Sequence, residues 1–403
     1  MKILLIHNDY KIFGGESTVF EAERRLLEKN GHQVIVYTRH NNEIDRFSLS
    51  QKLGLFQNTA WSSRSFDELD KFIVGEQPDV AHFHNTLPLI SPAAYYACQT
   101  NNVPVVQTLH NFRLMCPVAT FFRDGKVCED CLEKSLFESV KHGCYRDSRL
   151  QTMAVARMIS KHRRMKTYAE KVDAYIALTE FHKRKFTEAG IPPSKIFIKP
   201  NFVAASEISA KSNNAGHALF LGRLSQEKGV EVLLRAWRRI KKTPLKIAGE
   251  GPDKEALEAL VKKLGLKNVA FTGFLDREAC AAAMREARFL VLPSIWYEGM
   301  PMVLLEAFAM GKPAVASRIG GLGSIVRDGV NGRLFEPGNA EQLGQAVQEF
   351  EDEPILLEKM GAAAREEFES KYAPEVNYKT LMSIYDSVLS AKTERYLNEV
   401  ETS

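Results

Sequence analysis

The chain is 403 residues long, 45% hydrophobic and 26% charged, with a formal net charge of +4. That length is too great for one ordinary core and sets an expectation of two domains of about 200 residues. So mild a charge gives no support to bulk nucleic-acid binding, and nucleic acid is not an expected partner. The opening MKILLIHNDY has neither the longer apolar region nor the small-residue cleavage site of a signal peptide. No stretch approaches the roughly 20 apolar residues of a membrane span. A cytoplasmic location is expected, where the six cysteines would be thiols or metal ligands rather than disulfides.

The first half alternates strand and helix signals. KILLIHN is a buried strand, FGGES a turn, and TVFEAERRLLEKNG an amphipathic helix closed by Gly31. Further strands are expected at HQVIVYTR, PDVAHFH, VPVVQTLH and DAYIALT, the alternation of a parallel, doubly wound sheet. The stretch Leu150 to Val172 reads as one amphipathic helix, with Leu150, Met153, Ala154, Met158, Met165 and Tyr168 along one side. Its cations Lys161, His162, Arg163, Arg164 and Lys166 suit peripheral contact with anionic lipid on the inner face of a cell membrane, or a plain solvated face. A second series of strands runs HALFLGR, PLKIAGEG, NVAFTGF, ARFLVLPS and KPAVASR, each followed by a helical pattern. The polar KPNFVAASEISAKSNNAG separates the two series and places the boundary between domains 1–203 and 204–374. A last helical pattern from about Glu375 to Leu397 is assigned back to the first domain, with TERYLNEVETS as a frayed end. Open α/β sheets bind ligands at the carboxyl ends of their strands, so a cleft between two such edges is the expected site.

Gly14-Gly15 lies between a strand and a helix, where backbone can come close to a phosphate or sugar; a plain turn is the alternative. GEGPDK puts Lys254 where a dinucleotide fingerprint needs its third glycine, so that match fails. Arg223 and Lys228 stand five residues apart just beyond a strand, suited to a diphosphate or to solvent. His110 ends a strand and can bond a sugar hydroxyl, shuttle a proton, or simply be structural. His82 and His84 alternate along one strand, with only one of them expected to face the cleft, and neither is given a role. In the insert 111–148, Cys116, Cys128, Cys131 and Cys144 make C-x11-C-x2-C-x12-C around a hairpin at Asp124-Gly125. Four thiols with one C-x-x-C suit a closed structural zinc site, or else a reduced packing cluster. Cys98 and Cys280 stand alone and read as core residues. In EGMPMVLLE, Glu298 sits on a loop and Glu306 just over a turn inside a helix starting near Pro301. The helix N-terminus between them offers unpaired N–H groups to a phosphate.

The order of these signals along the chain resembles that of glycosyltransferase family 4. It runs from Gly14-Gly15 and His110 through Gly222-Arg223, Lys228, GEGP and FTGF to EGMPMVLLEA and a late crossing helix. The resemblance covers nearly the whole chain and is strongest from Leu219 to Gly338. It implies an α/β, GT-B fold of two Rossmann-like domains facing across a cleft, with the acceptor on the N-terminal side. It also implies a retaining enzyme that moves a sugar from a nucleoside diphosphate sugar to a hydroxyl of a glycan or lipid-linked acceptor. Polysaccharide, glycolipid or cell-surface glycan biosynthesis would be the setting, with no cofactor or catalytic metal required. On this resemblance Glu298 holds the donor-sugar hydroxyls and Glu306 the nucleotide ribose. The backbone of Gly299, Met300, Pro301, Met302 and Val303 meets the sugar and diphosphate, and Phe274 of FTGF falls on the same donor side. Arg223 and Lys228 match the diphosphate-binding cations, Gly15 the glycine loop near the phosphate, and His110 the histidine on the donor sugar; His110 and Glu298 are the catalytic candidates.

Three rivals share parts of the pattern. A nicotinamide oxidoreductase would need the missing G-x-G-x-x-G. A glycosidase uses paired carboxylates but has no use for a phosphate-type helix terminus. A non-catalytic nucleotide-sugar-binding partner of the same fold need not keep Glu298, Arg223 and Lys228 together.

Overall fold

The computed structural model describes residues 1–11, 14–203 and 216–401, the side chains beyond residue 394 excepted. Most of the separating segment, residues 204–215, and the last two residues of the tail therefore lie outside the described residues. The chain divides into two units. One comprises Met1–Phe121, Cys128–Lys199 and Asn377–Ser403; the other comprises Phe122–Val127 and Pro200–Val376. Six residues of the 111–148 insert, its hairpin, thus group with the second unit.

In chain order the strands are β1 (Lys2–Asp9), β2 (Gln33–His40), β3 (Val80–Asn85), β4 (Val105–Leu109), β5 (Phe122–Arg123), β6 (Lys126–Val127), β7 (Ala174–Ala177) and β8 (Ile196–Ile198). They continue as β9 (Ala218–Leu221), β10 (Leu245–Ala248), β11 (Val269–Gly273), β12 (Phe289–Leu292), β13 (Ala314–Ser317) and β14 (Gly332–Phe335). The first unit's sheet runs β2-β1-β3-β4-β7-β8 and the second's β11-β10-β9-β12-β13-β14, every neighbour parallel. Parallel strands carry helices on both faces, so they read as unbroken apolar runs; β3, β4, β7, β12 and β13 are buried throughout. Strand order reverses between β1 and β3 in one unit and between β9 and β12 in the other. Such switch points open a crevice at the carboxyl ends, and the loops leaving these strands carry most of the candidate residues.

Each unit has its own core. In the first, Ile3, Leu5, Phe20, Leu27, Val106 and Ile176 pack with Leu381, Ile384, Tyr385 and Val388 of the helix Pro374–Glu401. Those four positions fall at i, i+3, i+4 and i+7, one stripe of a helix. In the second, Phe220, Leu233, Trp237, Ile247, Phe289 and Phe350 lead the core.

Some expectations are corrected. β8 and β14 escaped the sequence reading because both are short edge strands with only partly buried faces. The tail is no frayed end where it is described: the last helix runs unbroken to Glu401. The single helix from Leu150 to Val172 is instead Arg149–Arg164, a left-handed Lys166 (φ 52°), and the short helix Thr167–Glu170. Its buried face is Thr152, Ala154, Val155, Ala156, Met158, Ile159 and His162, which leaves Leu150, Met153 and Met165 exposed rather than in the apolar stripe. The hairpin forms at Asp124 and Gly125, both at positive φ as a tight two-residue turn requires.

Candidate active site

In the second unit, β12 ends at Leu292 and the chain passes through Ser294 and Trp296 to Glu298 before the helix Met302–Ala309 begins, with Pro301 at its N-cap. The β9 loop lies against this segment: the Ile295 N–H donates to the Glu227 carbonyl at 2.9 Å. Gly229 closes that loop in the left-handed region (φ 67°), and a Cβ there would stand 2.0 Å from the Pro293 oxygen. From the other side Gly321 approaches so closely that its Cβ would fall 1.8 Å from the Gly299 oxygen, while its N–H donates to the Glu298 carbonyl at 2.7 Å. The loop is clamped by backbone on both flanks, and neither glycine can carry a side chain without moving it.

The clamp aims one carboxylate. Glu298 is only 5% exposed, and its Oε1 accepts from Lys228 Nζ at 2.7 Å, Ser294 Oγ at 2.7 Å and Trp296 Nε1 at 2.9 Å. Burial opposes ionisation of Glu298, but the Lys228 charge and the three donors outweigh it and hold the carboxyl below its ordinary value. Lys228 also lies over the Trp296 ring, 5.2 Å from its centroid. Arg223, by contrast, is exposed and makes no ion pair among the described residues. Met300 is buried, and its sulfur accepts from the Asn201 N–H. Gly299, Pro301, Met302 and Val303 complete the turn into the helix, whose first N–H groups have no partner within a helix.

One turn into that helix, Glu306 faces a cavity of about 340 Å³ lined by Val203, Arg277, Cys280, Met284, Ala309 and Met310 among others. Burial raises the Glu306 carboxyl above its ordinary value, against a smaller pull from Arg277. Cys280 is thus a cavity wall rather than the core residue expected, whereas Cys98 is fully buried as expected. Phe274, immediately after β11, leaves its ring 76% exposed. The structure brings Lys228 and Glu298 into contact and places Arg223, Phe274, Gly299–Val303 and Glu306 at the same end of this unit's sheet.

The first unit holds Gly15 and His110. Gly15 opens the helix Gly15–Lys29, and among the described residues nothing lies within 4 Å of where a Cβ would stand on Gly14 or Gly15. The fold itself does not demand glycine there. His110, just beyond β4, ends a chain of buried polar groups. His84 Nδ1 is 2.9 Å from His110 Nε2, His84 Nε2 is 3.1 Å from Glu23 Oε1, and Lys199 Nζ donates to Glu23 Oε2 at 2.8 Å and to Asn377 Oδ1 at 3.1 Å. His82 touches Glu23 Oε1 (3.1 Å), the Tyr385 hydroxyl (2.7 Å) and Thr108 Oγ1 (2.7 Å). Both histidines therefore lie on one face, contrary to the expectation of one per side: residues two apart in a strand point the same way. Burial opposes ionisation of Glu23, yet Lys199 and the two histidines hold it well below its ordinary value. Burial lowers His84 to about 4 and, with His84 and His7 beside it, holds His110 well below its ordinary value.

The protons follow from these partners. Ionised Glu23 only accepts, so His84 carries its proton on Nε2 and donates to it; neutral His84 then accepts at Nδ1 from His110 Nε2–H. His110 is left with Nδ1 as a lone-pair acceptor. Glu23, His82 and His84 place three ligand atoms within 4.8 Å of one another, but Lys199 already supplies the positive charge at that point.

Sequence reasoning gave no role to Ser294, Trp296, Glu23, His84 and Lys199, nor to Glu16. Burial raises Glu16 to about 8; Asn111 Nδ2 donates to its Oε2 at 3.3 Å, and its Oε1 is buried without a partner. Glu23 alone was signalled, as a charge on the apolar stripe Val19-Phe20-Leu26-Leu27. In the insert, Cys131 lies close enough to Cys116 and to Cys144 for their thiols to act on one another. Among the described residues the four cysteines do not form a set of mutually close ligand atoms.

Two parallel, doubly wound units with a braced glutamate beside a helix N-terminus define a GT-B glycosyltransferase. A Glycosyltransferase Family 4 model matches residues 13–207 and a Glycosyl transferases group 1 model matches residues 204–367. The chain belongs to this glycosyltransferase family. An uncharacterised glycosyltransferase of Methanocaldococcus jannaschii is 26% identical over 96% of this chain and 98% of its own length. The phosphatidyl-myo-inositol mannosyltransferase of Mycobacterium leprae is 31% identical over 56% of this chain and 62% of its own. Among solved structures, Anabaena HepE in complex with UDP superposes with a TM-score of 0.69 at 17% identity, covering 96% of this chain and all of that one.

Proposed function

We propose that this glycosyltransferase moves a sugar from a nucleoside diphosphate sugar to a hydroxyl of a glycan or lipid-linked acceptor, with retention at the anomeric carbon. Polysaccharide, glycolipid or cell-surface glycan biosynthesis is the setting. The observation that carries the reading is Glu298: a buried carboxylate fixed by three donors, next to a helix N-terminus, with a cavity one turn further on. One carboxylate oxygen is used by the protein, and the other is available to accept from donor-sugar hydroxyls. The helix N-terminus and Arg223 take the diphosphate, whose charge grows as the sugar leaves. Glu306 accepts from the ribose, and the cavity beside it is of a size for part of a nucleotide. Phe274 and Gly15 complete the donor contacts on this proposal.

His110 is the first unit's contribution. With Nδ1 bare it accepts from a sugar hydroxyl and carries no charge at neutral pH, so it orients rather than protonates. The leaving diphosphate takes the acceptor proton on the same face, a step that asks the protein for positioning and charge stabilisation and for no metal. In the insert, Cys116, Cys128, Cys131 and Cys144 are proposed ligands for a structural zinc that would draw the four sulfurs around one ion.

HepE was solved with UDP, so uridine donors come first in the test. The full chain is incubated with uridine, guanosine and adenosine diphosphate sugars and a panel of glycan and lipid-linked acceptors, and the product's anomeric configuration is read by NMR. One donor should give transfer with retention. Inversion overturns the mechanism; binding of a nucleotide sugar with no transfer or hydrolysis in any combination overturns the catalytic reading.

A further inference from the structure

The helix Leu49–Asn58 lies on the first unit with none of its ten residues buried. Leu49 is 82% and Leu53 76% exposed. A helix this short is marginal by itself in water, and one that turns its largest apolar side chains outward gains little from packing. Leu49, Leu53 and Phe56 fall at i, i+4 and i+7, so they share one stripe. On the helix Arg149–Arg164 the residues left outward include Leu150, 68% exposed, Met153, 37% exposed, and Arg157, at i, i+3 and i+7. The two stripes meet: the Arg157 guanidinium lies over the Phe56 ring, 5.5 Å from its centroid. The result is one surface with four apolar side chains directed outward.

The two helices themselves carry charge of one sign, although Asp45, just ahead of the first, acts on Lys52. Neither helix contains an aspartate or glutamate, and the exposed cations Lys52, Arg149, Arg157 and Arg164 make no ion pair among the described residues. At the far end Lys161 Nζ lies 4.7 Å from the centroid of Trp61, an aromatic with a polar edge of the kind that settles at a membrane–water boundary. Unpaired cations around exposed leucines fit a surface that offers negative charge at its face and hydrocarbon behind it. A second copy of the same patch would bring like charges together, and a nucleic acid would leave the leucines unused.

We propose that this face, built by Leu49, Leu53, Leu150 and Met153 with Lys52, Arg149, Arg157 and Arg164, docks the enzyme on an anionic lipid bilayer. The leucines enter the boundary of headgroups and acyl chains while the cations pair with lipid phosphates. The inference does not rest on the reading of the donor site. The helix on the first unit would sit flat on the bilayer, so that unit would meet acceptors carried by lipid.

The test is flotation of the full chain with phosphatidylcholine vesicles, with and without phosphatidylglycerol, for the parent, L49S/L53S and R149Q/R164Q. All four altered side chains are exposed, so melting temperature and nucleotide affinity should match the parent and serve as folding controls. The parent should float with the anionic vesicles and stay behind with the neutral ones. L49S/L53S should lower partitioning at least about tenfold, from the apolar area withdrawn, and R149Q/R164Q by about fivefold or more. Failure of the parent to float with anionic vesicles overturns the proposal. So does flotation by L49S/L53S equal to the parent's, which would show charge attraction alone, as a nucleic-acid or polyanion site would give. A leucine-dependent dimer in sedimentation, with no vesicle binding, would assign the face to a second copy instead.

Discussion

Replacing Lys228 with methionine keeps the volume of the side chain and removes the one full charge on Glu298. At 2.7 Å and an effective dielectric of about 20, the lost attraction is about 6 kcal/mol, or roughly four pKa units as a ceiling. Ser294 and Trp296 still donate to the same oxygen and water can reach the vacated side, so about half of that, roughly two units, is the expected rise. With burial the largest influence on it, the carboxyl now held below its ordinary value would move above it. The acid limb of kcat/KM should therefore shift upward by about two pH units in K228M, with turnover recovering toward alkaline pH. Stability should change sign with it. In the parent, the lowered Glu298 contributes stability above its unfolded value that is lost as pH falls through the folded one. In K228M the folded value lies above the unfolded one, so stability should fall as pH rises between them. The assays are pH profiles of transfer and of thermal melting, with nucleotide affinity by calorimetry at each pH. An acid limb that stays in place, with affinity reduced by one factor at every pH, would show Lys228 acting only on the diphosphate and refute the reasoning.

E306Q should weaken free nucleotide about tenfold, while E298Q should leave free nucleotide nearly unchanged and lower turnover of the intact donor at least a hundredfold, as loss of a well-placed charge-assisted bond does; calorimetry and kinetics on both variants would show the roles reversed if E298Q lost more nucleotide affinity. E23Q strands the Lys199 ammonium, which is 1% exposed, at a cost of about 3–5 kcal/mol. Its melting temperature should fall by on the order of 10 °C, and an unchanged melting curve would mean the pair is not the support inferred. Metal analysis of protein purified under reducing conditions without added zinc should find one zinc per chain, with chelation impairing acceptor transfer more than nucleotide binding. Much less than one zinc with full activity leaves the four cysteines as packing residues.

What could be read from the residues, and what could not, follows from how each signal is written. β1, β3, β4, β9 and β12 are visible because a strand buried on both faces must be apolar at consecutive positions. β8 and β14 sit at edges and carry half that signal. The Glu298 loop was legible from Gly299, Pro301 and the two glutamates, since those residue types dictate a loop, a helix start and a carboxylate inside it. The donors that fix Glu298 were not: Ser294 and Trp296 are ordinary residues until a backbone turn folds them over one oxygen. Lys228 was read as a diphosphate ligand, and its ion pair with Glu298 was not foreseen, because spacing along the chain says that a cation follows β9 but not what the neighbouring β12 loop presents to it. The His84–Glu23–Lys199 chain joins β3, the first helix and the residue after β8, separations of 61 and 176 residues, and no local pattern encodes that. Glu23 within an apolar stripe was the one trace it left.

The helix Pro374–Glu401 has a consequence for how the chain is made. Leu381, Ile384, Tyr385 and Val388 fill the first unit's core, Asn377 receives the Lys199 ammonium, and Tyr385 meets His82. Residues that leave the ribosome before the second unit therefore wait for residues that follow it. The second unit, apart from its short hairpin, is one uninterrupted stretch and closes with local crossovers while the first still lacks a wall of its core and two partners of its buried charges. Contacts so distant in sequence form slowly, and synthesis at about 5–20 residues per second leaves the exposed β1–β8 sheet open for many seconds. A chain stopped before residue 374 should accumulate as aggregation-prone protein with a competent second unit. The first unit to be synthesised is the last to be finished.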